Sequence, residues 1–353
     1  MLKTKTEVSI KENAFYNTRF KFSYSGLNTL LTSPRTFYND YVMDNRTKSF
    51  GKHLLEGTLI HFLILEDENF KDSFIVTPGL LPGSTNLELA EHIYAMALRE
   101  VNEKLDESLY AEVNTDLSHY RSEILQYLID IDKHQSLKDT KDGKGDDKRM
   151  AKVCDQRTLD YFEFLCEAEG KTIIDSELLA RCKERADIVK NDSNIRALLG
   201  LDIISDQTKT MVYNELHVIC PMPNLPFDFH GTIDNMVVDL DAKKVYINDL
   251  KTSGKSLVNF EDSVEYYNYW LQATMYIRLA KHFLKDVIDH SWEIEFRFVV
   301  FDKYNQLYPF KVRNSTLESW KEKTNDTIAK AIWHYENRDF TLPYDYANGN
   351  VKL

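Results

Sequence analysis

Five runs between residues 211 and 314 alternate apolar with polar positions: MVYNELHVIC, FHGTIDNMVV, KVYINDLKT, WEIEFRFVVFD and QLYPFKVRN. Alternation with a period of two predicts strands whose residues two apart share a side. On this pattern Glu215 shares a side with Tyr213 and His217, and Asp249 shares one with Lys251. Asp234 lies on the run between them. The turn PMPNLPFD returns the first run antiparallel onto the second, and DLDAKK returns the second onto the third. A helical period follows in VEYYNYWLQATMYIRLAKHFL, where Gln272 and Tyr276 share a face beside an apolar stripe of Ala273, Ile277 and Ala280. Leu317, Trp320, Ile328, Ile332 and Trp333 predict a last amphipathic helix.

Upstream the periods are helical. Residues 1–20 are polar and read as an arm or a first edge strand. In FSYSGLNTLLTSPRTFYNDYV, Ser25 is positioned to cap a helix holding Leu27, Leu30 and Leu31, and Ser33 precedes a proline at the first position of a second helix. The segment GKHLLEGTLIHFLILEDENF predicts a largely buried helix with Gly57, His61 and Leu65 at four-residue intervals. Residues 78–85, PGLLPGST, form a loop. Helical spacing returns in LELAEHIYAMALREVNEKL and YAEVNTDLSHYRSEILQYLIDI, followed by DKHQSLKDTKDGKGDDKR, which is nearly free of apolar groups and reads as a mobile loop. Two helices interrupted at Gly170 come next, with Asp175 or Ser176 able to cap the second. Gly170-Lys171-Thr172 lacks the upstream glycine of a phosphate-binding loop, so ATP is not expected.

Composition narrows the class. The chain has 353 residues, 43% apolar and 28% charged, as in a folded soluble protein. No apolar run approaches the roughly 20 residues that span a bilayer, and the N-terminus lacks a secretory signal, so a cytoplasmic protein without membrane contact is expected. Cys154, Cys166, Cys182 and Cys220 contain no C-x-x-C pair, which argues against a zinc module. The net charge of −12 opposes nucleic-acid binding as a sum but does not locate charge. Between Arg297 and Lys323 there are six Lys/Arg against three Asp/Glu, and Lys251, Lys255, Arg278 and Lys281 surround the candidate residues. Residues 101–150 carry twelve Asp/Glu against eight Lys/Arg and make a poor DNA surface.

A carboxylate with an ammonium two residues on, beside a second carboxylate on a paired strand, is what phosphodiester hydrolysis with Mg²⁺ or Mn²⁺ requires. The plain alternative is a surface ion pair of Asp249 with Lys251 and an ordinary turn residue at Asp234. His61 reads equally as a hydrogen-bonded core histidine, and Gln272 with Tyr276 as a core stripe carrying one surface amide. Arg297 and Arg313 are candidates for phosphate contact or members of a solvated charge ladder. Glu56 and Glu66 read as surface or capping residues.

Taken together, Glu215, Asp234, Asp249-Leu250-Lys251-Thr252 and Gln272-Ala273-Thr274-Met275-Tyr276 resemble the core of the PD-(D/E)XK nuclease superfamily, in its RecB-like branch, most like the exonuclease VIII (RecE) type of phages and prophages. The resemblance implies an α/β domain over 21–353, with a central mixed sheet flanked by helices and a helical, charged insertion at 86–150. It implies Glu215, Asp234, Asp249, Lys251, Gln272 and Tyr276 as catalytic residues. His61, in G-x-x-x-H, would join Glu215, Asp234 and Asp249 around one or two Mg²⁺ ions; His53, His217 and His230 do not match the motif histidine. Some relatives hold an iron–sulfur cluster with four cysteines, but no C-terminal cysteine group follows the motifs here. The expected activity is 5′-to-3′ digestion of linear double-stranded DNA, leaving 3′ strands for a single-strand annealing protein, by a homo-oligomer such as a tetramer within a bacterial host. An endonuclease on the same core, structure-selective or anti-host, and an inactive DNA- or protein-binding scaffold are the alternatives.

Overall fold

The computed structural model describes residues 5–46, 52–106, 112–137, 143–203 and 209–351. In chain order the strands are β1 (Lys21–Phe22), β2 (Phe74–Val76), β3 (Thr172–Ile174), β4 (Thr210–Cys220), β5 (Asp228–Asp239), β6 (Lys244–Thr252), β7 (Glu293–Phe301) and β8 (Leu307–Lys311). The chain divides into two units, Met1–Asp67 with Lys183–Leu353, and Glu68–Cys182. The second is wider at both ends than the 86–150 insertion expected from sequence. No helix among the described residues is long and apolar enough to cross a membrane.

The first unit is built on a six-stranded mixed sheet. β4, β5 and β6 form an antiparallel meander, β6 pairs in parallel with β7, and β8 closes antiparallel on β7. A parallel pair cannot be joined by a tight turn, so the chain crosses between β6 and β7 through the helices Phe260–Tyr266 and Tyr269–Phe283. This crossover lays Gln272 and Tyr276 against the sheet. Gly231 on β5 permits the approach: a Cβ there would stand 2.9 Å from Leu279 Cδ1 and 3.4 Å from Tyr276 Cε1. The helix expected over 264–284 is broken at Asn268, which adopts φ 56°. Asparagine tolerates that region better than most residues, and here its side chain donates to Asn28 Oδ1 and accepts from Trp270 Nε1.

Two N-terminal expectations are corrected. The arm is a helix, Lys5–Asn17, anchored by Phe15 against Phe20, Phe37 and Tyr335; β1 follows and pairs in parallel with the start of β5. The first cap is Ser23, whose hydroxyl accepts from Gly26 N–H, while the Ser25 hydroxyl meets that of Ser23. Ser33 caps the helix Pro34–Phe37.

A third correction bears on the site. Met211 and Tyr213 on β4 pack against the main core, but beyond Glu215 it is Leu216, Val218 and Cys220 that do so. β5 changes in the same place, from Phe229 and Ile233 to Met236 and Val238. Register is kept, Asn214 with Asn235 and Leu216 with Ile233, so the change of face comes from backbone rotation at Glu215, whose φ is 45°. Glu215 therefore shares a side with His217 but not with Tyr213. Two successive residues on each strand, Asn214 with Glu215 and Asp234 with Asn235, leave the core side together.

The second unit pairs β2 and β3 in parallel. Its own core gathers Leu89, Ile93, Leu117, Ile124, Leu128 and Phe162. The polar stretch at 132–149 is not all loop: a helix, Gly145–Val153, starts within it because Met150 and Val153, just past that stretch, reach this core. Asp175 is the cap that follows β3, its carboxylate accepting from Leu178 N–H.

Candidate metal centre

The β5–β6 ladder runs from Asp239 with Lys244 to Asn235 with Asn248. Where it ends, the Asp234 carboxylate takes over from the backbone, accepting from Leu250 N–H at 2.8 Å. Glu215 stands on β4 beside this opening. A non-glycine residue at positive φ inside a strand costs on the order of 1–3 kcal/mol and persists only where its surroundings fix it.

What fixes it is a row of asparagines one step along the same three strands. Asn248 Nδ2 donates to Asn235 Oδ1, and Asn235 Nδ2 donates to Asn214 Oδ1 and to the Leu199 carbonyl. Asn248 also donates to Leu198 O, and Asn214 to Leu65 O. These amides satisfy the terminal carbonyls of the helices Ser193–Leu199 and Lys52–Leu65, groups that have no partner within their own helices. The second of these helices carries His61. Gly57 brings it close to the sheet, since a Cβ there would lie 3.1 Å from Thr252 Oγ1.

His61 Nδ1 consequently stands 3.6 Å from Asp234 Oδ2 and 4.0 Å from Glu215 Oε1. One ligand atom from each of His61, Glu215 and Asp234 lies within 4.8 Å of the others, a spacing that could hold a metal ion. Asp249 lies beside this set and pairs with Lys251, Nζ to Oδ2 at 2.5 Å. Its side chain is 0% exposed, so the surface-pair alternative is excluded. Asp249 Oδ1 is buried without a hydrogen-bond partner.

The electrostatics follow from crowding. Burial, then Asp234, Glu66 and Asp249, push the Glu215 carboxyl up to about 8. Burial raises Asp249 to about 7, with Lys251 opposing and Asp234 reinforcing, and raises Asp234 against the pull of Lys251 and Leu250 N–H. Burial and Lys251 lower His61 to about 4, which leaves the imidazole neutral at neutral pH with a lone pair to give. Burial works to lower Lys251, but Asp249 and Asp234 outweigh it and keep the ammonium charged. Two buried carboxylates and the partly buried Glu215, all resisting ionisation, one orphaned oxygen among them and a neutral imidazole make a donor set that a divalent cation fits.

Gln272 and Tyr276 are both buried, with Gln272 Nε2 donating to Tyr276 Oη at 3.0 Å. Burial and the nearby Asp234 and Asp249 raise the phenol well above 10, so it remains a proton donor. Gln272 Oε1 has no partner. Other candidates fall elsewhere. Arg297 is bound to the buried Glu295, which Lys311 also contacts, so the phosphate-contact alternative loses support there. Arg313 is exposed at the start of the helix Asn314–Asn337. His217 and His230 face each other with ring centroids 5.6 Å apart, outside the His61 set. Glu56 accepts from Arg185 rather than standing free, and Glu66 acts on Glu215 through its charge. Sequence reasoning missed Tyr269, whose ring lies 4.9 Å from Lys251 Nζ, and Tyr24, raised by burial, Tyr269 and Asp249. It also missed the asparagine row, although Asn214-Glu215, Asp234-Asn235 and Asn248-Asp249 place an amide beside every acid.

Fold and site thus define a mixed α/β protein, a central mixed sheet flanked by helices, with a histidine–carboxylate cluster where two strands part. No family model matches the chain, and no curated protein matches it. Among solved structures it is similar to a crystal structure described as "Putative exonuclease" from Eubacterium rectale, with 10% identity and a TM-score of 0.45 over 100% of this chain and 95% of that one. At that degree of likeness, what the chain does must be read from its own residues.

Proposed function

We propose that this chain is a divalent-metal-dependent deoxyribonuclease, with Mg²⁺ its ion and Mn²⁺ a substitute. The observation that carries the reading is the convergence of His61, Glu215 and Asp234 beside the buried Asp249–Lys251 pair. His61, Glu215, Asp234 and Asp249 would hold the ion. When bound, it supplies positive charge to the phosphate and lowers the pKa of water in its shell. Lys251, kept charged by Asp249 and Asp234, serves as an ammonium that offsets negative charge growing on the phosphate rather than as a base. The protonated Tyr276 would donate a hydrogen bond to the scissile strand, with Gln272 Nε2, which donates to the phenol oxygen, holding the ring in place.

Double-stranded DNA as substrate, attack from a 5′ end, an oligomer such as a tetramer and delivery of 3′ strands to an annealing protein follow from the resemblance of the ordered residues Glu215, Asp234, Asp249, Lys251, Gln272 and Tyr276. The test is time-resolved digestion of linear duplexes labelled separately at each 5′ and 3′ end, with closed circles as controls and the mass of the protein measured on the same sample. Early release of 5′ label with persisting 3′ strands is expected. Equally rapid cutting of circles makes the enzyme an endonuclease, and no Mg²⁺- or Mn²⁺-dependent cleavage of any DNA removes the assignment.

A further inference from the structure

A chain of aromatic rings leads away from the metal centre. Tyr269, against the Lys251 ammonium, stacks on Tyr267 with centroids 5.4 Å apart and planes at 25°. Tyr267 meets Tyr266 edge-on at 4.8 Å. Exposure climbs along the series: Tyr269 is half-buried, Tyr267 is 46% exposed and Tyr266 is 76% exposed. Large rings are not left open by want of a fold around them here. The positive φ at Asn268 ends one helix and starts the next, presenting both tyrosines at the break, and the Tyr24 hydroxyl donates to the Tyr267 carbonyl and pins that backbone. Lys255 stands 5.9 Å from the outer ring, on the loop that leaves β6 just past Lys251. On the preceding helix Glu265 is paired with Lys323 at 2.7 Å, while Glu261 and Asp262 are exposed.

Exposed aromatic faces alternating with cations suit one ligand chemistry above others, a single strand of nucleic acid, whose bases stack and whose phosphates pair with lysines. We propose that Tyr267 and Tyr266 form a stacking platform for the unpaired bases of a DNA strand entering or leaving the metal centre, with Lys255 beside its backbone. The inference rests on the nuclease reading and names where the separated strand runs: from Lys251 across Tyr269 and out over the two exposed rings. Continuity with the site favours this occupant over a protein partner, because a protein docked there would cover the approach to Lys251.

The full-length protein is titrated, with Ca²⁺ in place of Mg²⁺, into duplexes carrying a three-nucleotide overhang with 2-aminopurine in the unpaired segment, and into blunt duplexes. Wild-type protein is expected to quench the 2-aminopurine. Tyr266→Ala/Tyr267→Ala should lose the quench and bind the overhang about tenfold or more weakly, with blunt-duplex affinity unchanged. Tyr266→Phe/Tyr267→Phe should keep both, because stacking needs the ring and not the hydroxyl. The platform is overturned if the alanine pair quenches and binds as wild type, or if the phenylalanine pair fails as badly as the alanine pair. It is overturned equally if the alanine pair changes the protein's mass in solution while the base signal stays, which would make the rings a protein–protein surface. Quenching that depends on the tyrosines without cleavage in Mg²⁺ or Mn²⁺ overturns the nuclease reading alone, and cleavage with tyrosine-independent quenching overturns the platform alone.

Discussion

Glu215→Gln should make the metal-free protein more stable at pH 8, although it removes a residue from the heart of the site. The carboxyl ionises at about 8 in the folded chain against 4.5 ordinarily, through burial and through Asp234, Glu66 and Asp249. A carboxyl raised in this way favours folding while protonated. That contribution is complete below pH 4.5 and is lost as pH rises to about 8. At about 1.4 kcal/mol per pH unit, the fully ionised group weighs about 5 kcal/mol against folding. Burial is the largest cause at Glu215, and a neutral amide still carries part of that desolvation, so the substitution recovers about 2–3 kcal/mol. Glutamine keeps the volume and the backbone, leaving the strained φ as it is. Urea unfolding in EDTA at pH 5 and pH 8 measures the effect: the two proteins should nearly coincide at pH 5 and separate at pH 8, the variant the more stable. Saturating Mn²⁺ should then stabilise wild type more than the variant. A wild-type urea midpoint that does not fall between pH 5 and pH 8 in EDTA, or a variant less stable at pH 8, would refute the reasoning.

Asp249→Ala and Lys251→Ala should both remain folded by circular dichroism, yet lose Mg²⁺-dependent cleavage by about 10²-fold or more; ordinary cleavage by a folded Asp249→Ala protein removes that carboxylate from the site. His61→Ala should weaken Mn²⁺ binding in calorimetry by about tenfold or more, and ¹⁴N coupling to bound Mn²⁺ seen in wild type should vanish; an unchanged spectrum places the imidazole off the metal. Gly231→Ala should cost about 1–3 kcal/mol in urea unfolding, because the fully buried Leu279 cannot withdraw from a Cβ at 2.9 Å, with wild-type stability the contrary result. Asn235→Ala should cost about 2–4 kcal/mol, since it strips Leu199 O and Asn214 Oδ1 of a donor and Asn248 Nδ2 of one of its two acceptors at once; a loss below about 0.5 kcal/mol would show the asparagine row to be idle.

The limits of reading this chain from its sequence lie in the same few residues that make the site. β4 to β8 were legible because alternation of apolar side chains is imposed by the two faces of a sheet. The pairing of Asp249 with Lys251 was legible from their two-residue spacing, whereas the Leu250 N–H that meets Asp234 and the Tyr269 ring beside Lys251 were not. Helix Lys52–Leu65 was legible from its apolar repeat, but not what holds it: a glycine's close approach at Thr252 and an amide donated by Asn214 are contacts between distant segments. The N-terminal helix was hidden because the residues that tie its polar sequence to the core, Phe15 and Tyr16, sit together near its end, and tertiary packing overrode a weak local signal. The face change at Glu215 was illegible for a deeper reason. Period-two logic assumes that every residue of a strand takes the extended conformation, and glutamate carries no mark of a positive φ as glycine or asparagine would. Had alternation continued, Glu215 would have stayed in step with Tyr213, on the core side, and a lone carboxylate would have been buried among apolar groups. The rotation instead sets it in the opening beside Asp234, within 4.0 Å of His61, where a cation can offset both its desolvation and its repulsion. Local strain and the raised carboxylates are thus costs that meet at one cluster, where a bound cation would offset the electrostatic part.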